Sequence, residues 1–175
     1  MADTIIFWIN VGCAVGSIIC LIASIVSAHK ASKYYKKSMH ISLVLQCNNS
    51  LDDMQRATTL LMELLQYTEK NRSKRSRNIA IAIYDTSKEI QLILQNINRN
   101  LTSSEAKEFQ NKLKESGFDC QNYIIRIAAG DYTRATEDGN EFFYSDWRFI
   151  KCQELFGEAT RYLNELLDVH KEKIK

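Results

Sequence analysis

IIFWINVGCAVGSIICLIASIVSA, residues 5–28, contains no charged side chain. Its 24 positions exceed the roughly 20 needed to cross the hydrocarbon core of a bilayer as a helix. Asp3 is the only charge before it. After it come His29, Lys30, Lys33, Lys36 and Lys37, with Tyr34 and Tyr35 among them. Basic residues favour the cytoplasmic side of a membrane and tyrosines favour its interface. The expected topology is therefore an outside N-terminus, a single span and a body in the cytoplasm. A cleaved signal peptide is the rival reading, with Val26–Ala28 as the cleavage site. It lacks a basic leading region, and its apolar run is longer than the usual core of such peptides.

The span is not uniformly greasy. Asn10, Cys13, Ser17, Cys20, Ser24 and Ser27 recur at alternating steps of three and four. At about 100° per residue they share an arc of roughly 100°. Gly12, Gly16 and Ala23 form a ridge of small residues beside them, and Gly12–Gly16 is a GxxxG pair. Phe7, Trp8, Val11, Val15, Ile18, Ile19, Ile22, Ile25 and Val26 occupy the remaining side, which suits lipid. Small residues let helices approach closely, and neutral polar side chains supply interhelical hydrogen bonds. The pattern predicts that copies of the helix pack through Gly12, Gly16 and Ala23. The polar stripe would then face a shared axis. A few copies would bury that stripe, whereas many would line a wet pore with it. Lys30, Lys33, Lys36 and Lys37 are then candidates for a basic vestibule. The bland alternative is an ordinary anchor, because glycine, serine and cysteine are frequent in membrane helices.

The chain has 175 residues, 45% of them hydrophobic, and no proline. That argues for long helices rather than a sandwich. A formal net charge of +2 makes no overall electrostatic case for nucleic acid. The five cysteines show no metal-ligand spacing, so neither a metal nor a cofactor is expected. Cys47, Cys120 and Cys152 are scattered, as befits reduced thiols. Asn48, Asn71 and Asn100 head glycosylation sequons that matter only in a secretory lumen.

From Met39 onward, 19 bases nearly balance 20 acids. Apolar residues recur at helical intervals. Met54, Leu61, Leu64 and Leu65 mark one helix, and Ile79, Ile83, Ile90, Leu94 and Ile97 a second. Ala106, Phe109, Leu113, Cys120, Ile124 and Ile127 mark a third. Leu155, Ala159, Tyr162, Leu163, Leu166 and Val169 mark a fourth. Thr102-Ser-Ser-Glu105 reads as a capping box. NIAIAIY alternates like a strand but has no partner strand, so it reads as helix. Gly130–Asn140 is the clearest loop. The span should continue past Tyr35 toward Leu45, since nothing breaks it. The expected organisation is an external tip at 1–4, a membrane helix at 5–28, a basic juxtamembrane helix at 29–45 and a helical bundle at 46–175.

Chemistry is sparse. KNRSKRSR offers Lys70, Arg72, Lys74, Arg75 and Arg77 as phosphate or RNA contacts, or as a solvated joint between helices. No metal-binding, phosphate-loop or serine-hydrolase motif is present. Arg161 and His170 have eight residues between them, which points them in different directions on one helix. Arg161 reads as a surface ion-pair residue and His170 as a frayed terminal one, so no catalytic residue is expected. Tyr144, Trp147 and Phe149 read as core or subunit contacts.

TIIFWINVGCAVGSIICLIASIV, then HKASKYYKK and an all-helical remainder, resembles the small Csx-type membrane accessory protein of type VI-B CRISPR–Cas systems. The resemblance covers the chain in architecture and rests on no short motif. It implies a HEPN-like cytoplasmic bundle and a ring-shaped homo-oligomeric pore in the bacterial inner membrane. The implied partner is the RNA-guided RNase, with or without its RNA, and the implied outcome is membrane depolarisation during antiphage defence. Members of the HEPN ribonuclease class carry an arginine followed four to six residues later by a histidine. That spacing is absent here, which disfavours a nuclease role. A membrane-tethered HEPN-like bundle that binds or cuts RNA through KNRSKRSR, Arg161 and His170, and a passive scaffold, are the competing expectations.

Overall fold

The computed structural model describes the backbone of residues 2–73, 76–115, 117–130 and 146–174. Side chains are described within those spans apart from 2–11, 13–14, 71–73 and 146. Of the described residues 91% are helical, and the fold is all-α.

One helix dominates. α1 runs unbroken from Ala2 to Ser73, 72 residues. At 1.5 Å per residue it is about 108 Å long. Tertiary partners, not propensity alone, stabilise most protein helices, and α1 has two different situations along its length. Val15, Ile18, Ile19, Leu21, Ile22, Ile25 and Val26 are all exposed. From Cys47 onward the helix is embedded. Cys47, Ser50, Met54, Ala57, Leu61, Leu64 and Thr68 are buried. Their steps of three and four are those of a coiled-coil seam.

α2 (Arg77–Asn100) and α5 (Asp146–Glu172) pack on that half of α1. α2 buries Ile83, Thr86, Ile90, Ile93 and Ile97 at the same alternating steps. α5 buries Phe149, Cys152, Phe156, Ala159 and Leu163. The helix over NIAIAIY is therefore observed. α3 (Ser103–Lys112) lies on α5, and α4 (Cys120–Ala128) on α2. Met54, Leu61, Ile90, Phe109, Ile124 and Phe156 belong to one continuous core. Val169, expected inside, is 45% exposed.

The expected third helix is two. α3 stops at Lys112, and a minimal antiparallel hairpin follows, β1 (Lys114–Glu115) against β2 (Phe118–Asp119). Gly117 makes the turn at φ 85°, a conformation disfavoured for residues with a Cβ. Lys114 pairs with Asp119 in register and through an ion pair at 3.0 Å. Asp119 also caps α4 by accepting the Asn122 N–H at 3.1 Å. α3 starts as expected: the Thr102 N–H and hydroxyl donate to Glu105 Oε2 at 3.0 and 2.7 Å. The loop expected over Gly130–Asn140 lies, beyond Gly130, outside the described residues, as does Tyr144.

Candidate membrane span and its joint with the body

Among the described residues, one helix is long and apolar enough to cross a membrane, and it is the N-terminal part of α1. None of its apolar window is buried within the chain. Ser17, Cys20, Ser24 and Ser27 are exposed, as is Gly16. A Cβ on Gly12 or Gly16 would meet nothing within 4 Å, so no contact inside the chain calls for glycine there. The Ser24 hydroxyl donates to the Cys20 carbonyl at 2.8 Å, which satisfies its proton in an apolar setting. The side chains of Asn10 and Cys13 lie outside the described residues, while Ala23 is exposed.

Continuity of α1 fixes how the span faces the body. His40, Leu43 and Val44 are half-buried and Cys47 is buried, so this side of α1 carries the body. Counting back along the helix at about 100° per residue, the same side holds Ile18, Ile22 and Ile25. Ser17, Cys20, Ser24 and Ser27 fall roughly 140° away. The body therefore sits beneath the apolar side of the span, and the polar stripe looks the other way.

At the joint, three elements bring together groups that the sequence leaves far apart. His170 was expected to fray, but it is 4% exposed and Nε2 lies 3.0 Å from Glu105 Oε1. It continues the buried stripe of α5, and that stripe is the signal by which its burial is legible. The rings of His170 and His40 stand 5.9 Å apart. Nδ1 of each is buried with no hydrogen-bond partner among the described residues. The Tyr162 hydroxyl donates to the Glu105 carbonyl at 3.4 Å. Burial alone would raise the Glu105 carboxyl. The Thr102 donors and His170 outweigh it, and the group titrates below its ordinary range. Burial, then the Glu105 charge, pushes the Cys47 thiol up to about 11. Burial and the same carboxylate push Tyr162 up to about 12. The joint is a shielded polar cluster around one carboxylate.

The remaining candidates separate. Lys70 lies in the last turn of α1, which ends at Ser73, and Arg77 opens α2, both exposed. The side chains of Arg72, Lys74 and Arg75 lie outside the described residues. Arg161 is exposed while His170 is buried on the other side of α5, so the two do not meet. Phe149 is buried, edge-on to Tyr123 at 5.6 Å, whereas Trp147 is 56% exposed. Cys120 and Cys152 are not scattered. Their sulfurs face one another at 2.7 Å across α4 and α5, both buried. Burial, then Cys152, holds the Cys120 thiol well above its usual range. No group of three or more possible metal ligands occurs among the described residues. A cleft of about 440 Å³ between the hairpin, α4 and the start of α5 holds Lys151, which pairs with Glu115 and Glu154. No family model, curated protein or solved structure matches the chain.

Proposed function

We propose that this protein is a membrane-spanning subunit that assembles with its own copies into a pore, with the polar stripe of α1 lining the axis. The observation that carries the reading is the exposed stripe with its neighbouring glycines, set on the side of α1 away from the body. A stripe of neutral polar side chains on a membrane helix gains most when a second helix or water meets it, not acyl chains. The body hangs under the apolar side of the span and leaves that approach open. Packing through Gly12, Gly16 and Ala23 places neighbouring spans side by side, with Asn10, Cys13, Ser17, Cys20, Ser24 and Ser27 turned inward. The lining is neutral, so the pore discriminates mainly by size. The body faces the cytoplasm of a bacterial inner membrane. The architectural resemblance to the type VI-B accessory proteins supports a role beside an RNA-guided RNase, in which permeabilisation halts phage growth.

The test joins two measurements on purified full-length protein. Its mass is measured in detergent, and ion flux is measured through liposomes carrying it. A discrete large oligomer with flux, reduced by Ser17→Leu or Ser24→Leu without loss of expression, is the expected result. A monomer or dimer without flux would leave the stripe as helix glue and sink the pore.

A further inference from the structure

We infer that Lys30, Lys33, Lys36 and Lys37 form a docking face for acidic phospholipid headgroups in the leaflet nearest the body. The inference rests on α1 crossing the membrane and does not require a pore. Because α1 is unbroken through this region, the helical register of the four lysines relative to the span is fixed. At about 100° per residue they occupy an arc of roughly 120°. That arc lies on the side of Ile18, Ile19, Ile22 and Val26, and none of the four enters the arc of Ser17, Cys20, Ser24 and Ser27. The lysines are thus the downward continuation of the lipid-facing side. The polar stripe continues instead through Ala31, Tyr35, Ser38 and Ser42, which are uncharged.

All four side chains are exposed. No acidic residue occurs between Asp3 and Asp52, so this stretch of α1 supplies no anion of its own. Among the described residues none of the four has an ion-pair partner. They begin two residues past Ala28, at headgroup depth, and the lower pair reaches it by extending four-carbon stems upward. Tyr34 and Tyr35, 73% and 72% exposed, mark the same interfacial level. A row of bases with no ion-pair partner among the described residues, beneath a lipid-facing stripe, fits a phosphate-bearing leaflet. This moves the charges away from the axis, so they do not filter ions at its mouth.

The test uses full-length protein in phosphatidylcholine vesicles with trace spin-labelled phosphatidylglycerol or phosphatidylcholine, read by electron paramagnetic resonance. The expected wild-type preference for the acidic lipid is roughly fivefold or more at low salt. It should fall toward equality in the Lys30→Gln, Lys33→Gln, Lys36→Gln, Lys37→Gln quadruple variant and persist in the corresponding arginine variant. If the quadruple variant inserts poorly, Lys36→Gln with Lys37→Gln should lose part of the preference. Equal association of both lipids with the wild type would overturn the inference, as would a preference that survives all four glutamines. A shifted reversal potential in the glutamine variant with unchanged lipid preference would also overturn it, by placing the lysines in the aqueous mouth. Alkaline carbonate extraction distinguishes the underlying failure: protein washed off the vesicles would mean that α1 does not span.

Discussion

The two halves of α1 obey the same local rules and end in opposite environments. Residues 15–28 and 47–68 both repeat at steps of three and four, and both lack proline and helix-breaking turns. In the lower half the repeating residues are buried against α2 and α5. In the upper half the repeating polar residues are exposed, and so are the isoleucines opposite them. Helical periodicity sets the geometry of a face. What covers the face depends on the rest of the chain, and among the described residues none between Val15 and Met39 is buried. In the proposed assembly, lipid and other copies would cover the upper half.

The sharpest way to break the comparison is to cut a large side chain from each half. Phe109→Ala should cost the body about 3–5 kcal/mol, because it leaves a cavity in the shared core. Ile22→Ala in the span should leave the melting of the body unchanged, as read by circular dichroism in detergent. Equal losses from both would mean that the upper half folds as part of the core.

Mechanical separation of the halves comes next. Ser38→Pro places a residue without an N–H in the interior of α1, and proline there costs about 3 kcal/mol. Hydrogen exchange should rise around residue 38 while the protection of Leu61 and Ile90 persists. Loss of protection throughout would show that the core depends on the stalk.

A smaller effect tests the joint. The Glu105 carboxylate titrates below its ordinary value of about 4.5, so its stabilisation is complete above that value and is lost as pH falls through the lower folded value. The wild-type melting temperature should therefore drop on acidification below about pH 4.5. Glu105→Gln should start lower and show a flatter acid limb. Parallel curves would remove the carboxylate from that role. The cap at Asp119 is worth about 1 kcal/mol, so Asp119→Ala should lower body stability by that amount in denaturant titration. Least of all, the exposed pair of Arg56 and Glu89 should yield about 0.5 kcal/mol or less in a double-mutant cycle.

Much of this architecture was legible because it is local. The length of the span, the absence of proline and the Thr102–Glu105 box each state their structure within a few residues. The hairpin was hidden for a physical reason. Leu113 and Cys120 stand seven residues apart, two helical turns, so the apolar rhythm continues in phase across a break. Gly117 was the only local sign of it. The pairing of Cys120 with Cys152 and the meeting of His40, Glu105 and His170 depend on how α1, α3, α4 and α5 cross. No spacing along the chain encodes such crossings. His170 was missed because chain ends usually fray, although its position in the α5 stripe argued for burial. For the polar stripe of α1 the reverse holds: the stripe is visible in the sequence, and under the proposed pore its covering would come from other copies.

The unbroken helix between the span and the body has an electrostatic consequence. Residues 29–39 form about 16 Å of straight stalk. With α1 across a bilayer as proposed, headgroups would take up about 5–7 Å of it and leave roughly 10 Å of open water beneath the membrane. That gap is close to one Debye length at physiological salt. The surface potential of the leaflet is therefore largely screened before it reaches the nearly balanced charges of the body. In the proposed pore, ions would approach the axis sideways, between neighbouring stalks, without passing through the bundle at all.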